Sequence, residues 1–284
     1  MTAPPLTVVL PAREGLASVE AVLDALRPQA LATGTEVIVV GPVDAPLPDG
    51  VHAIRMASDD IFALRQAGYE QARGAVVATG EDHAVPRPDW CAAIIRAHAE
   101  HPEVPMVVGC LANGTARTLA GRANFLAFAA PFEPPMPALR GGRPAPSSAL
   151  SVKRAVLEDC RGRKGHFEAE VIPRLFADGA FVSDDRIVAD HHQDHGLRWA
   201  VVNGYHSARS SYGLGRSGIA ARTRVRLAGW AVLAWPRRIM REAMASRSRA
   251  RGDLAGVAPI ALAVGVGAAL GLLVGPGRSP DRVA

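Results

Sequence analysis

Residues 6–110 alternate short runs of aliphatic and β-branched residues with stretches whose apolar positions recur every three to four residues, and few folds accept that order. Residues 6–10 (LTVVL, ended by Pro11), 36–40 (EVIVV), 52–56, 75–79 (AVVAT) and 105–110 (PMVVGC) read as strands. Between them, Ser18 is placed to cap a helix through Val19, Val22, Leu23 and Leu26, stopped by Pro28. Asp59 or Asp60 caps a second helix through Ile61, Leu64 and Ala67 that ends near Gly74, and Asp89 caps a third carrying Trp90, Ile94, Ile95 and His98. Strands separated by helices imply parallel pairing through right-handed crossovers, hence a three-layer α/β domain. Ligands of such sheets lie beyond the carboxyl ends of the strands, which directs attention to residues 11–15, 41–46 and 80–86. Further on, residues 131–148 are rich in Pro, Gly, Ala and Ser and read as a long loop. Residues 152–160 and 167–178 look helical, and 181–189 extended.

The C-terminal part obeys a different pattern. Residues 255–274 carry no charge and consist mainly of Ala, Val, Leu and Gly. As a helix, residues 254–274 extend about 30 Å, enough to cross a bilayer, although a buried helix of a soluble domain has the same composition. Upstream, residues 225–235 form a shorter apolar patch with Arg on both sides, suited to lying in a membrane interface. From Arg209 to Arg251 there are eleven Arg and one acid, Glu242: a balance of +10 against +5 for the whole chain, leaving about −5 elsewhere. The high pI of about 9.6 is therefore local. It abuts an apolar run and comes without a nucleic-acid-binding motif, so an anionic membrane is the expected partner and nucleic acid is not. Arg-rich sequence before the apolar run predicts a cytoplasmic catalytic domain. Cys91, Cys110 and Cys160 are odd in number and lack CxxC spacing, which fits a reducing compartment; the first residues do not resemble a signal peptide. The expected division is a catalytic domain at residues 1–215, a basic interfacial region at 216–253, a membrane span at 254–275 and a short tail at 276–284.

Four clusters are candidates for chemistry. After the strand at 75–79 comes Gly80-Glu81-Asp82-His83, whose carboxylates and imidazole are suited to holding Mg²⁺ or Mn²⁺ against phosphate oxygens; a polar turn capping the next helix is the alternative. Glu168 and Glu170 open a helix whose start is fixed by Pro173, tolerable only in a first turn. Either is a candidate proton acceptor, or merely complements the helix dipole. Asp190-His191-His192-Gln193-Asp194-His195 reads as a transition-metal site, as the DHH triplet of a phosphoesterase, or as one functional His among solvated neighbours. Arg209 and Arg216 suit a diphosphate clamp or a membrane-facing basic surface equally well.

The order of these segments resembles that of family 2 glycosyltransferases. VVLPAREGLASVEAVLDAL is similar to the opening strand-turn-helix of the family, and ALRQAGYEQARGAVVATGEDHAVPRPDW resembles the segment leading to its metal-binding DxD motif, with Glu81 and His83 on the two Asp positions. PMVVGCLANG with ANFLAFAAPFEPP resembles a subgroup bearing an NG turn and a Pro-rich acceptor loop. FEAEVIPRLFADG resembles the acidic helix that carries the general base, and IVADHHQDHGLRW with YHSARSSYGLGR the closing segment. The likeness covers residues 6–216 and implies a GT-A fold with a membrane-associated C-terminus. It implies Glu168, with Glu170 beside it, as the catalytic carboxylates; Glu81, Asp82 and His83 as ligands of a divalent cation; and Pro11, Ala12, Arg13, Glu14, Asp44, Arg65, Asp82, His191 and Arg209 on the donor side. The implied reaction is inverting transfer of a sugar from a nucleotide-diphosphate donor to a hydroxyl of a glycan or lipid-linked acceptor. A non-catalytic nucleotide-sugar-binding scaffold and a metal-dependent phosphoesterase are the rivals. Two departures from the family pattern bear on donor and acceptor identity: Gly41-Pro42-Val43-Asp44 stands where many members pair two Asp, and Ser147-Ser148 where related ones carry Asn.

Overall fold

The strand expected at residues 6–10 forms β1 (Leu6–Pro11), buried along its whole length. It lies between two parallel neighbours, β2 (Glu36–Gly41) and β4 (Val76–Thr79), and β2 pairs in parallel with β3 (Val51–Arg55). Unbroken aliphatic runs, rather than alternation, are what strands covered on both faces require. The structure is a computed structural model and describes residues 3–44, 46–47, 49–115, 117–136, 145–192 and 195–283. The helices α1 (Glu20–Thr33), α2 (Ile61–Gln71) and α3 (Trp90–Glu100) connect the strands. Asp60 caps α2, accepting from the backbone N–H groups of Phe62 and Ala63, an interaction worth about 1 kcal/mol.

One expected helix boundary and one expected cap are corrected. α1 continues past Pro28 to Thr33 and ends on left-handed Gly34. Pro28 and Asp24 are both on the exposed side, so the carbonyl that proline leaves without a partner faces water. Asp89 has φ 66° and makes no side-chain cap hydrogen bond, so α3 begins on a backbone turn.

The second half of the sheet comprises β5 (Ala84–Pro86), β6 (Met106–Asn113), β7 (Leu150–Lys153) and β8 (Phe181–His191). Among the described residues the order is β3-β2-β1-β4-β7-β6-β8-β5. β7 runs antiparallel to β4 and β6, and β5 antiparallel to β8, so the all-parallel expectation holds only for one half. The helix expected at residues 152–160 is corrected accordingly. Leu150, Ser151 and Val152 are buried between β4 and β6, and only the single turn α5 (Ala155–Glu158) is helical. A four-residue apolar run cannot be assigned by periodicity alone. Of the loop expected at 131–148, residues 137–144 lie outside the described residues. One core cluster joins Val9, Ile38 and Val40 to Leu64 and Tyr69 of α2; the other joins Val8 and Leu10 to α1 and α3, which gives the three layers.

A third core belongs to helices α4 (Leu119–Phe128), α7 (Leu197–Leu214), α8 (Ala221–Ala245) and α9 (Asp253–Val274), around Leu126, Ala200, Ile239 and Ile260. The division expected at residue 215 thus falls between two helices of one bundle. α9 is long and apolar enough to cross a membrane, and over half of its most apolar stretch is buried in protein.

Candidate active site

α2 places two polar side chains, Arg65 and Tyr69, on its buried face one turn apart. A buried guanidinium requires carboxylate partners, and Arg65 has two. Its Nη2 lies 2.9 Å from Glu81 Oε1, just beyond the carboxyl end of β4, and its Nη1 lies 3.9 Å from Glu168 Oε1. Tyr69 donates to Glu168 Oε1 at 3.4 Å, and its hydroxyl is 2.8 Å from Thr79 Oγ1. Ser147 Oγ reaches Glu81 Oε1 at 3.4 Å. Glu81 and Glu168, far apart in sequence, are therefore brought into one buried polar cluster, joined through a single side chain.

Glu168 sits on a π-helical turn, Phe167–Val171, that leads into α6 (Ile172–Ala177), with Pro173 in the first turn of α6. Such turns re-aim side chains and recur at functional sites. Phe167 packs edge-on against Tyr69, with centroids 5.3 Å apart, which anchors the turn to α2. Burial raises the Glu168 pKa above its usual value against the opposing charge of Arg65. The same burial, with Glu168 adjacent, raises Tyr69 well above its ordinary value, so the phenol stays a donor. Arg65 is held charged: desolvation opposes it, and Glu81, Tyr69 and Glu168 outweigh that cost. Glu170, two residues from Glu168, is more exposed and faces His166 (3.1 Å) and Arg163 (3.9 Å) instead.

At the other end of the cleft, His83 Nε2 is 3.4 Å from Glu81 Oε2 and its Nδ1 is 2.5 Å from Asp82 Oδ1. The antiparallel β5–β8 pairing sets Ala84 opposite His191, which brings the His191 ring to 4.6 Å from that of His83. One ligand atom from each of Glu81, His83 and His191 lies within 4.8 Å of the others, a spacing suited to a single metal ion. His191 is held neutral, its pKa well below normal through burial and the nearby His83 and His192, and a neutral imidazole is the form that binds metal. Asp82 stands outside this trio and holds the far nitrogen of His83, a carboxylate–imidazole arrangement that orients a ligand. Burial opposes protonation of His83, but the Asp82 hydrogen bond and the charges of Glu81 and Asp82 raise its pKa overall.

The remaining expected donor residues are spread more widely. Pro11 and Ala12 are buried at the end of β1, where Ala12 N–H donates to Val40 O, and Glu14 is largely exposed. Arg13 donates to the Val283 carbonyl. Asp44 is exposed on the loop after β2. Arg209 donates to Gly275 O (3.2 Å) and the Tyr205 hydroxyl (3.2 Å), and Arg216 to Leu273 O (3.0 Å), so both guanidinium groups engage the C-terminal end of α9 rather than the cleft around Glu81. The histidine cluster is dispersed: only His191 faces the cleft, His192 is exposed beside Gly114, and His195 stacks on Trp199 at 3.9 Å. Gln193 and Asp194 lie outside the described residues. Tyr69, Thr79 and the grouping of His191 with Glu81 and His83 escaped the sequence reading. The available signal was Arg65 and Tyr69 recurring four apart on the apolar face of α2.

This mixed sheet, with carboxylates and imidazoles gathered at its carboxyl edge, is the GT-A architecture of nucleotide-sugar glycosyltransferases. A mannosyltransferase from Pyrobaculum calidifontis, solved with GDP-Man and Mn²⁺, has this fold: it is similar over 86% of this chain and 74% of its own, with a TM-score of 0.52 at 16% identity. S. aureus TarS 1–349 matches 92% of this chain and 90% of its own, with a TM-score of 0.47 and 11% identity. No protein-family model matches the sequence, and no curated protein does.

Proposed function

We propose that this protein is a membrane-attached glycosyltransferase of the family 2 type, transferring a sugar from a nucleotide-diphosphate donor to a hydroxyl acceptor with inversion and with the help of a divalent cation. The observation that carries this reading is Arg65, which ties Glu81 and Glu168 into one polar cluster. Glu81, His83 and His191 would hold the cation, which when bound neutralises the donor diphosphate. One carboxylate with two imidazoles suits Mn²⁺ better than Mg²⁺, and Mn²⁺ is the ion in the mannosyltransferase structure. Glu168, buried and raised in pKa, accepts the acceptor's proton as its hydroxyl oxygen bonds to the anomeric carbon and the bond to the diphosphate breaks. Arg13, just after β1, has its charge acting on Asp82 and would meet the donor diphosphate. The basic C-terminal half supports attachment to an anionic membrane with the cleft on the cytoplasmic side, and hence a lipid-linked or envelope glycan as acceptor.

The test incubates the full chain with a panel of nucleotide sugars and either Mn²⁺ or Mg²⁺. Turnover of at least one donor is expected, faster with Mn²⁺ and abolished by Glu81→Ala. Binding without turnover across the panel would favour a scaffold, and cleavage of phosphodiesters lost in His192→Ala would favour a phosphoesterase.

A further inference from the structure

We propose that the chain rests on one side of an anionic bilayer through the outer face of α8, and that α9 does not cross it. The inference depends on the membrane attachment proposed above but not on the transfer reaction.

Both ends of α9 are fastened to the body that carries the cleft. At its start, Asp253 is fully buried and pairs with Arg122 of α4 at 2.9 Å. At its end, Arg216 and Arg209 hold the carbonyls of Leu273 and Gly275. Beyond the helix, Ser279 Oγ meets His206 Nδ1 of α7 at 3.0 Å, and the Val283 carbonyl accepts from Arg13 at the end of β1. A helix of 22 residues is about 33 Å long. If it spanned a bilayer, residues 276–283 would emerge on the face opposite its start. The alternative would drag α7 into hydrocarbon together with Arg198, Asn203, His206 and Arg209, where such groups are costly.

The glycines of α9, which lend it the look of a weakly hydrophobic span, have a packing purpose. A methyl added at Gly267 would lie 2.3 Å from Tyr205 O, and one at Gly271 2.6 Å from Arg209 O. At Gly265 it would lie 3.1 Å from Ala231 O, and at Gly256 2.7 Å from the Ala123 Cβ. These positions let α7, α8 and α4 approach α9 closely, so much of the surface that lipid would cover is covered by protein.

α8 is different. Its exposed positions 222, 226, 230, 233, 237 and 241 recur three or four apart and form one stripe. The stripe has an apolar middle, with Trp230 and Leu233 each 57% exposed and Val225 beside them at 62%. Arg222 and Arg226 lie at one end of it, Arg237 and Arg241 at the other. An apolar centre reaching the acyl boundary, with guanidinium groups at headgroup level on either side, complements a negatively charged bilayer lying in the plane of the helix. Each such Arg strengthens binding about fivefold.

Two measurements on the full chain decide the matter. Arg247→Cys and Arg278→Cys, both at exposed positions on opposite sides of α9 in sequence, are labelled with a membrane-impermeant maleimide in sealed inverted vesicles; the three native cysteines are buried. Labelling of both from the same side is expected, and labelling from opposite sides overturns the one-sided arrangement. In the second, purified protein is sedimented with phosphatidylcholine vesicles with and without phosphatidylglycerol. Binding is expected only with the anionic lipid, weakened roughly 25-fold by Arg226→Ala with Arg237→Ala and lost in Trp230→Ser/Leu233→Ser, all without loss of fold. Absence of binding to either vesicle overturns the attachment itself. A dimer that the Trp230→Ser/Leu233→Ser variant dissociates assigns the face to a second copy and overturns the proposal.

Discussion

The cleft at the carboxyl edge of the sheet and the bundle of α4, α7, α8 and α9 are held by different forces. In the cleft, Arg65, Glu81, His83 and Glu168 are fixed by charge and hydrogen bonds between side chains. In the bundle, small residues bring backbones together, and the Arg122–Asp253 ion pair secures one end. The difference teaches which changes each region tolerates. The cleft should accept small changes of volume but not of protonation or charge. The bundle should accept changes of charge on its outer face but not an added methyl within.

The largest expected effect tests the first half of that contrast. Glu168→Gln keeps shape and removes the proton acceptor, so kcat should fall about 10³-fold, within the range for loss of a general base, with an unchanged melting temperature. Glu170→Gln, two residues along but facing His166 and Arg163, should change kcat less than threefold. Equal losses in both would break the comparison. Next in size, Gly267→Val should cost about 3 kcal/mol in denaturant unfolding, because its side chain meets the Tyr205 carbonyl, while the rate per folded molecule holds. A normal melting curve would show that α9 packs otherwise. The smallest effect sharpens the cleft's dependence on protonation. Glu168 must be ionised to act, so the rate rises with pH through its raised pKa, above the usual carboxylate range. Tyr69 donates to the ionised form and lowers that pKa. Tyr69→Phe should therefore move the acid limb of the kcat profile further up in pH, with a loss of less than about tenfold at neutral pH; an unmoved limb would assign the limb to another group.

Much of the fold was legible because β1, β2, β4 and β6 are buried on both faces and read as plain aliphatic runs. β7 was not, since Leu150–Lys153 is too short to display a period, and its place between β4 and β6 is a tertiary fact. The cleft was legible in part. Glu81, His83 and Glu168 stood out by position after a strand and before a helix. That His191 rather than Asp82 completes the cluster of ligand atoms depends on β5 pairing with β8, which no local pattern reveals. The sequence of α9 satisfies a bilayer and a protein interior equally; only the groups facing its glycines separate the two readings, and those lie far away in the chain.

One guanidinium answering to two acids has a practical outcome for anyone wishing to alter this protein. Glu81 gives Oε1 to Arg65 and turns Oε2 toward His83, so an ion held on Oε2 would draw charge from the carboxylate that Arg65 grips and leave the arginine freer to lean toward Glu168. On the proposed reading, preference for one metal over another and strength of the base would thus not be separate dials. Re-engineering either one will retune its counterpart, unless position 65 is redesigned at the same time.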